Sequence, residues 1–255
     1  MACVLGKLLL TTTGVVASYI AYSAACPISQ NWGRGFHRGP RGSRQIALTF
    51  DDGPSESTLD ILAVLELYGI SATFFCCGAN VDRLPEISKA TVVAGHEIGN
   101  HSYSHPPLLM HSKDYVRQEL QKTQLAIQNA TGKQPHLFRP PYGLRTPSLT
   151  DIQSELDLTV VLWSVIGQDW HFSKKRIVQR VTRRIEPGGI ICLHDGDTTN
   201  LHADRRETIQ ALPEIIETIL EMGYSFVTAG EMLQQLETKT DNWRVHKRGK
   251  QKILR

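Results

Sequence analysis

The 255-residue chain has no Cys-x-x-C pair, no internal repeat, no low-complexity stretch and no large excess of one charge. Each absence excludes a class of protein. Without Cys-x-x-C there is neither a zinc ribbon nor a thioredoxin-like redox centre. The five cysteines form no framework, because Cys76 and Cys77 are neighbours in one apolar run and Cys192 lies in another; buried, unpaired thiols are expected. A formal charge of +3 leaves little for a polyanion to hold. The basic excess sits at the ends, at Arg34, Arg38, Arg41 and Arg44 and again from Lys239 to Arg255, where solvated tails are expected and no nucleic-acid partner is.

Only one apolar run is long, Leu8 to Ala25, and it follows Lys7. It reads as the apolar region of a signal peptide or as a marginal anchor, its threonines and serines weakening the spanning case. Residues 1–29 are accordingly assigned to a signal peptide or membrane anchor, with a membrane contact through residues 8–25. Export is the expectation, so the protein is secreted or anchored on the extracytoplasmic side. The arginines that follow the run pull the other way, since a retained anchor would tend to keep them inside. Residues 30–44 are Gly-, Arg- and Pro-rich and read as a linker. A catalytic domain over 45–237 and a basic tail over 238–255 complete the chain.

From Gln45 onward, apolar strand-like runs alternate with helix-like segments. Ile61, Val64, Leu65 and Tyr68 share one helical face, and Val116, Leu120, Thr123, Ile127 and Ala130 follow the same four-and-three spacing up to Gly132. Repeated βα units imply a parallel sheet, open or closed into a barrel. Polar residues gather where the apolar runs end, at Asp51, His101, Arg139, Asp169 and His194. Because α/β barrels build their sites at those ends, a barrel is favoured, and one domain of this length is ordinary for it.

Five segments carry the chemistry. In Thr49-Phe50-Asp51-Asp52-Gly53-Pro54 two acids stand together after a strand, an arrangement that a cation makes tolerable. An acidic turn capping the next helix is the plain alternative. His101 and His105 lie four apart and would share a face on a helix. Two imidazoles and one carboxylate leave an open position on a zinc-like ion. His96 is read as a packing residue. In Phe138-Arg139-Pro140-Pro141-Tyr142-Gly143 the prolines fix the backbone and free the Tyr142 N–H for a ligand; Arg139 can hold a carboxylate through two bonds, although alone it reads as a surface arginine. The last two segments end at Asp169-Trp170 and at Leu193-His194-Asp195. There a histidine beside a carboxylate can serve as general acid. Trp170 offers a flat face to a sugar, whereas Trp163 is read as core.

Across roughly Gln45 to Leu236 these segments, in this order, resemble the five motifs of the polysaccharide deacetylase family, also called the NodB-homology or carbohydrate esterase family four domain. The resemblance implies a single distorted (β/α) barrel and a divalent metal, zinc foremost with cobalt or nickel as substitutes, on Asp52, His101 and His105. It implies Asp51 as catalytic base, Arg139 orienting it, the Tyr142 N–H as oxyanion donor and His194 as general acid tuned by Asp169. Trp170, Leu193, Pro140 and Tyr142 would border the substrate. Two departures bear on the acyl pocket: Ile166-Gly167 replaces an aspartate and proline, and Cys192 replaces a leucine two positions before His194.

The expected activity is removal of N-acetyl groups from an N-acetylglucosamine polymer or oligomer, such as a chitin-like chain, peptidoglycan or an exopolysaccharide. A deformylase of a lipid-linked amino sugar and a non-catalytic carbohydrate-binding protein on the same fold are the alternatives.

Overall fold

A computed structural model of the chain describes residues 2–198 and 202–238, with side chains from residue 14 onward. Among these residues nine strands form one parallel sheet: β1 (Gly35–Phe36), β2 (Gln45–Asp51), β3 (Thr73–Cys76), β4 (Glu97–Asn100), β5 (Leu137–Phe138), β6 (Thr159–Val161), β7 (Val165–Ile166), β8 (Ile190–His194) and β9 (Ser225–Val227). The order across it is β1-β6-β5-β4-β3-β2-β8-β7, with β9 also paired to β2. The sheet curls into the distorted barrel that the resemblance implies.

Helices cover its outer side: α1 (Ala2–Ala25) leads in, followed by α2 (Glu56–Leu67), α3 (Gly78–Arg83), α4 (Pro85–Val93), α5 (Lys113–Thr131), α6 (Leu149–Leu156), α7 (Lys174–Thr182) and α8 (Arg206–Glu221). Residues 229–238 are also helical. Two starts follow directly from sequence. Ser55 caps α2 in a reciprocal pair with Thr58, and Ser112 accepts the Tyr115 N–H at the head of α5. Gly132 ends α5 in the left-handed conformation (φ 72°).

Strand alternation separates core from site. On β2, Ile46, Leu48 and Phe50 point outward into the helix layer, packing with Ile61, Leu65, Ile215, Ile216 and Ile219. Each such fully buried aliphatic side chain is worth about 1.5–3 kcal/mol relative to exposure. The other face carries Ala47, Thr49 and Asp51, so the inward row of β2 ends in a carboxylate.

Residues 30–44 are more than a linker. Gly35 and Phe36 pair with Val160 and Val161, and the Gly39 N–H donates to Gly188 O at 2.8 Å. Two-residue pairings carry no periodicity, so they leave no signal in the sequence. The end of α1 is also stitched in: Ser23 and Ala24 are buried, and the buried Arg145 guanidinium donates to Cys26 O and Ser29 O. Among the described residues no helix is long and apolar enough to cross a membrane. All but the first residue of the expected basic tail lies outside them. Cys26, Cys76, Cys77 and Cys192 are free thiols, the last three buried.

Candidate active site and metal centre

The strand ends bring Asp51, Asp52, His101, His105, Tyr142, Trp170 and His194 around one cleft of about 440 Å³. Asp51 closes β2. Asp52 follows in a left-handed conformation (φ 73°), its carbonyl held by the Asn80 side-chain amide at 2.8 Å. Position 53 has to be glycine here, because a Cβ would come within 2.1 Å of Asp195 Oδ2.

His101 and His105 are not on a helix. They bracket a turn with left-handed Ser102 (φ 63°) and His105 (φ 56°), which corrects the helical reading of their spacing. The turn is held by Glu119 of α5, which accepts the N–H groups of Tyr103 and Ser104 at 2.9 and 2.8 Å. Nδ1 of His101 lies 2.7 Å from Arg139 O. A carbonyl only accepts, so Nδ1 carries the proton and the Nε2 lone pair faces inward. That atom is 3.4 Å from Asp52 Oδ1, and His105 Nε2 is 3.3 Å from the same oxygen.

Asp52 Oδ1 is buried and has no hydrogen-bond donor. A shielded oxygen facing two imidazole nitrogens is costly unless a cation lies between them. Ligand atoms about 2.05 Å from a tetrahedral ion sit about 3.3–3.4 Å apart, the spacing found here. Asp52, His101 and His105 therefore fit a divalent metal, and their ligand atoms lie within 4.8 Å of one another. Electrostatics in the unliganded pocket agree. Burial resists ionisation of Asp52, but His101, then His194 and His105, hold its carboxyl well below the usual range. Burial opposes charging His101, while Asp51 and Asp52 pull it up. Burial and the neighbouring His101 push His105 down to about 4, so it is neutral and able to ligate.

Arg139, a surface residue when read alone, is fully buried. Its Nη1 donates to Asp51 Oδ1 and Thr49 Oγ1, both at 2.7 Å, and its Nε to Val161 O at 3.1 Å. The other Asp51 oxygen accepts from the Cys192 thiol at 3.3 Å.

Asp51 and His194 are register partners on β2 and β8. Asp169, following β7, receives the His194 N–H and ring Nδ1, each at 2.8 Å, and the Thr208 hydroxyl at 2.8 Å. Burial disfavours the imidazolium, but Asp169 outweighs it and raises His194 to about 9. Trp170 is 52% exposed and meets His194 edge to face at 4.8 Å. Tyr142 takes a left-handed backbone (φ 59°) beyond the two prolines, its ring 4.6 Å from His105.

Two expected substrate residues move. Leu193 points into the helix-layer core and Pro140 is buried in its loop, so neither lines the cleft. Alternation along β8 puts Cys192, with His194, on the inner face instead. Trp163 and Ile166 join that wall. Trp163 also packs on the inner core, so its core reading holds in part. His96 packs against Phe74 and accepts the Ala72 N–H at 3.2 Å, as a packing residue should. The supporting groups Asn80, Glu119 and Thr208 belong to no motif, and only the folded contacts reveal them.

The fold and site define an α/β barrel whose strand ends carry a candidate metal-binding site. The polysaccharide deacetylase description matches residues 38–161. The chain is 35% identical over 209 residues to a peptidoglycan-N-acetylglucosamine deacetylase of Listeria monocytogenes, covering 78% of this chain and 42% of that protein. It is 35% identical over 196 residues to a chitooligosaccharide deacetylase of a Bradyrhizobium strain, covering 72% and 88%. A solved CE4 family pseudoenzyme from Bacillus anthracis superposes with a TM-score of 0.72 at 30% identity, covering 79% of this chain and 69% of that one. The chain belongs to the polysaccharide deacetylase family. It spans less than half the length of the Listeria protein.

Proposed function

We propose that this protein is a metal-dependent hydrolase that removes N-acetyl groups from an N-acetylglucosamine-containing poly- or oligosaccharide and releases acetate. The observation that carries this reading is the complete set of groups on one cleft: a carboxylate fixed by a buried arginine, an imidazole charged by a buried carboxylate, and a donorless carboxylate oxygen between two imidazoles. The names of the Listeria and Bradyrhizobium relatives support peptidoglycan or chitooligosaccharide as the substrate class. Two imidazoles and a carboxylate favour zinc, with cobalt or nickel as substitutes.

An ion held by Asp52, His101 and His105 would supply Lewis acidity at the amide carbonyl and at the attacking water. Asp51 takes the proton from that water, and Arg139 holds the carboxylate in position for it. The Tyr142 N–H donates to the developing oxyanion, a contact whose loss typically costs about 3–4 kcal/mol. His194, charged at neutral pH, gives its proton to the leaving nitrogen. Trp170 presents its exposed face to the sugar ring. The polymers concerned lie outside the cytoplasm, in keeping with export or anchoring through residues 8–25.

A non-catalytic carbohydrate-binding protein is the second reading, favoured by likeness to the Bacillus anthracis pseudoenzyme. Acetate and formate release from N-acetylglucosamine oligomers and peptidoglycan decides between them. The deacetylase reading expects zinc-dependent acetate release that disappears in Asp51→Asn and Asp52→Ala. Saccharide binding unchanged in Asp51→Asn, with neither acid released by the wild type, would establish the binding protein; formate alone would point to a deformylase.

A further inference from the structure

The cleft holds a second set of metal-ligating atoms, which the reaction does not need as ligands. Asp51, Cys192 and His194 each offer one ligand atom, and the three lie within 4.8 Å of one another. Their placement follows from the ladder: Asp51 stands opposite His194 on β2 and β8, and Cys192 precedes His194 by two residues on the same face. Arg139 occupies Asp51 Oδ1, leaving Oδ2 for the thiol at 3.3 Å. Ligand atoms on a tetrahedral ion with sulfur at ~2.3 Å and oxygen at ~2.1 Å sit about 3.6 Å apart, a few tenths of an ångström from that spacing.

His194 is oriented as a ligand. Asp169 holds its Nδ1 at 2.8 Å, so Nε2 faces the cleft, the carboxylate–histidine arrangement that commonly supports a bound ion. The thiol completes the site, because an aliphatic residue at position 192 would leave only two ligands.

We infer that Asp51, Cys192 and His194 form a second, inhibitory site for a thiophilic divalent ion such as zinc, next to the Asp52-His101-His105 site. Coordination releases the thiol proton, and the Nε2 proton when the ring is charged, to solvent; no other bond forms or breaks. Occupancy ties up the free oxygen of the base and the free nitrogen of the acid together, so excess zinc stops the reaction that the first ion supports. Binding of the second ion stands independently of the deacetylase reading; only the inhibition rests on it.

Cobalt(II) titration of the metal-free full chain tests the binding. The first site has no sulfur, so a sulfur-to-cobalt charge-transfer band in the near ultraviolet reports the second alone. In the wild type a second equivalent should bind and bring the band with it. Cys192→Val should bind one equivalent without the band, whereas Asp52→Ala should bind one equivalent and keep it. Saturation of the wild type at one equivalent without the band, or a band that persists in Cys192→Val, overturns the site. For inhibition, each protein is compared with its own rate at one equivalent of zinc. Wild-type acetate release should fall about tenfold at roughly ten times the second dissociation constant. Cys192→Val should fall by less than about twofold under the same occupancy arithmetic. If the band appears but the wild-type rate does not fall, the site exists and its inhibitory role is refuted. Absence of acetate release at any zinc level, with the band present, counts against the deacetylase reading and not against the site.

Discussion

The Arg139 guanidinium meets the Asp51 carboxylate at 2.7 Å with both groups buried. Burial weakens solvent screening of the pair, and three strand ends, those of β2, β5 and β6, meet on this one side chain. Removing one member of a buried pair typically costs about 3–5 kcal/mol, because the survivor is left charged and uncompensated. Arg139→Ala should lose stability of that order in urea unfolding, together with most activity. Arg139→Lys should recover part of the stability but not the bond set, since an ammonium cannot reach the Thr49, Asp51 and Val161 oxygens in one plane.

A pH profile tests the pairing of His194 with Asp169. The acid has to carry its proton, and Asp169 raises His194 to about 9. Acetate release should therefore fall as pH rises through about 9. In Asp169→Asn the raising charge is gone, and the alkaline limb should move down by at least about one unit, toward or below the ordinary imidazole value near 6.5. A limb that stays in place would assign the acid to another group.

Asp195 makes a separate prediction about stability. Burial, followed by the charges of Asp52 and Asp51, pushes it up to about 7 against the bond from Thr58. Between the ordinary value of 3.8 and about 7 the folded chain keeps a proton that the unfolded chain has lost. Stability contributed by that proton is fully present below the lower value and declines as pH rises through the window, by at most about 1.4 kcal/mol per unit. Asp195→Asn has no such titration. Its melting temperature relative to wild type should rise between pH 5 and pH 8; a constant difference would show that Asp195 does not titrate there.

Metal binding should register as stability as well as activity. At one hundred times its dissociation constant a ligand specific to the folded state adds about 2.7 kcal/mol. Zinc should raise the melting temperature of the wild type beyond the much smaller rise in Asp52→Ala, and a chelator should reverse it.

Much of the site was legible because its residues sit where periodic runs stop. Asp51, His101, Arg139 and His194 could be placed at strand ends from the alternation alone, and the free thiols from their apolar surroundings. Burial of Arg139 could not, since an arginine in a Pro-rich loop reads as exposed until the partners from β2 and β6 are known. The His101–His105 turn is hidden for a similar reason: a spacing of four also fits a helix, and the brace that holds the turn, Glu119, lies on α5 fourteen residues further on. Leu193 and Cys192 exchanged places because strand polarity is decided by a one-residue register, which the ladder with β2 fixes.

The register pairing of Asp51 with His194 also makes the barrel modular. The two proton-handling groups hang from adjacent central strands, each bonded along its length to neighbours, whereas Tyr142 and Trp170 stand on connections beyond the strand ends. Connections can lengthen, shorten or be exchanged without altering the spacing of the strands. On the proposed function, one chemical step could thus be offered to different substrate shapes, and grafting a connection would leave the spacing of Asp51 and His194 undisturbed.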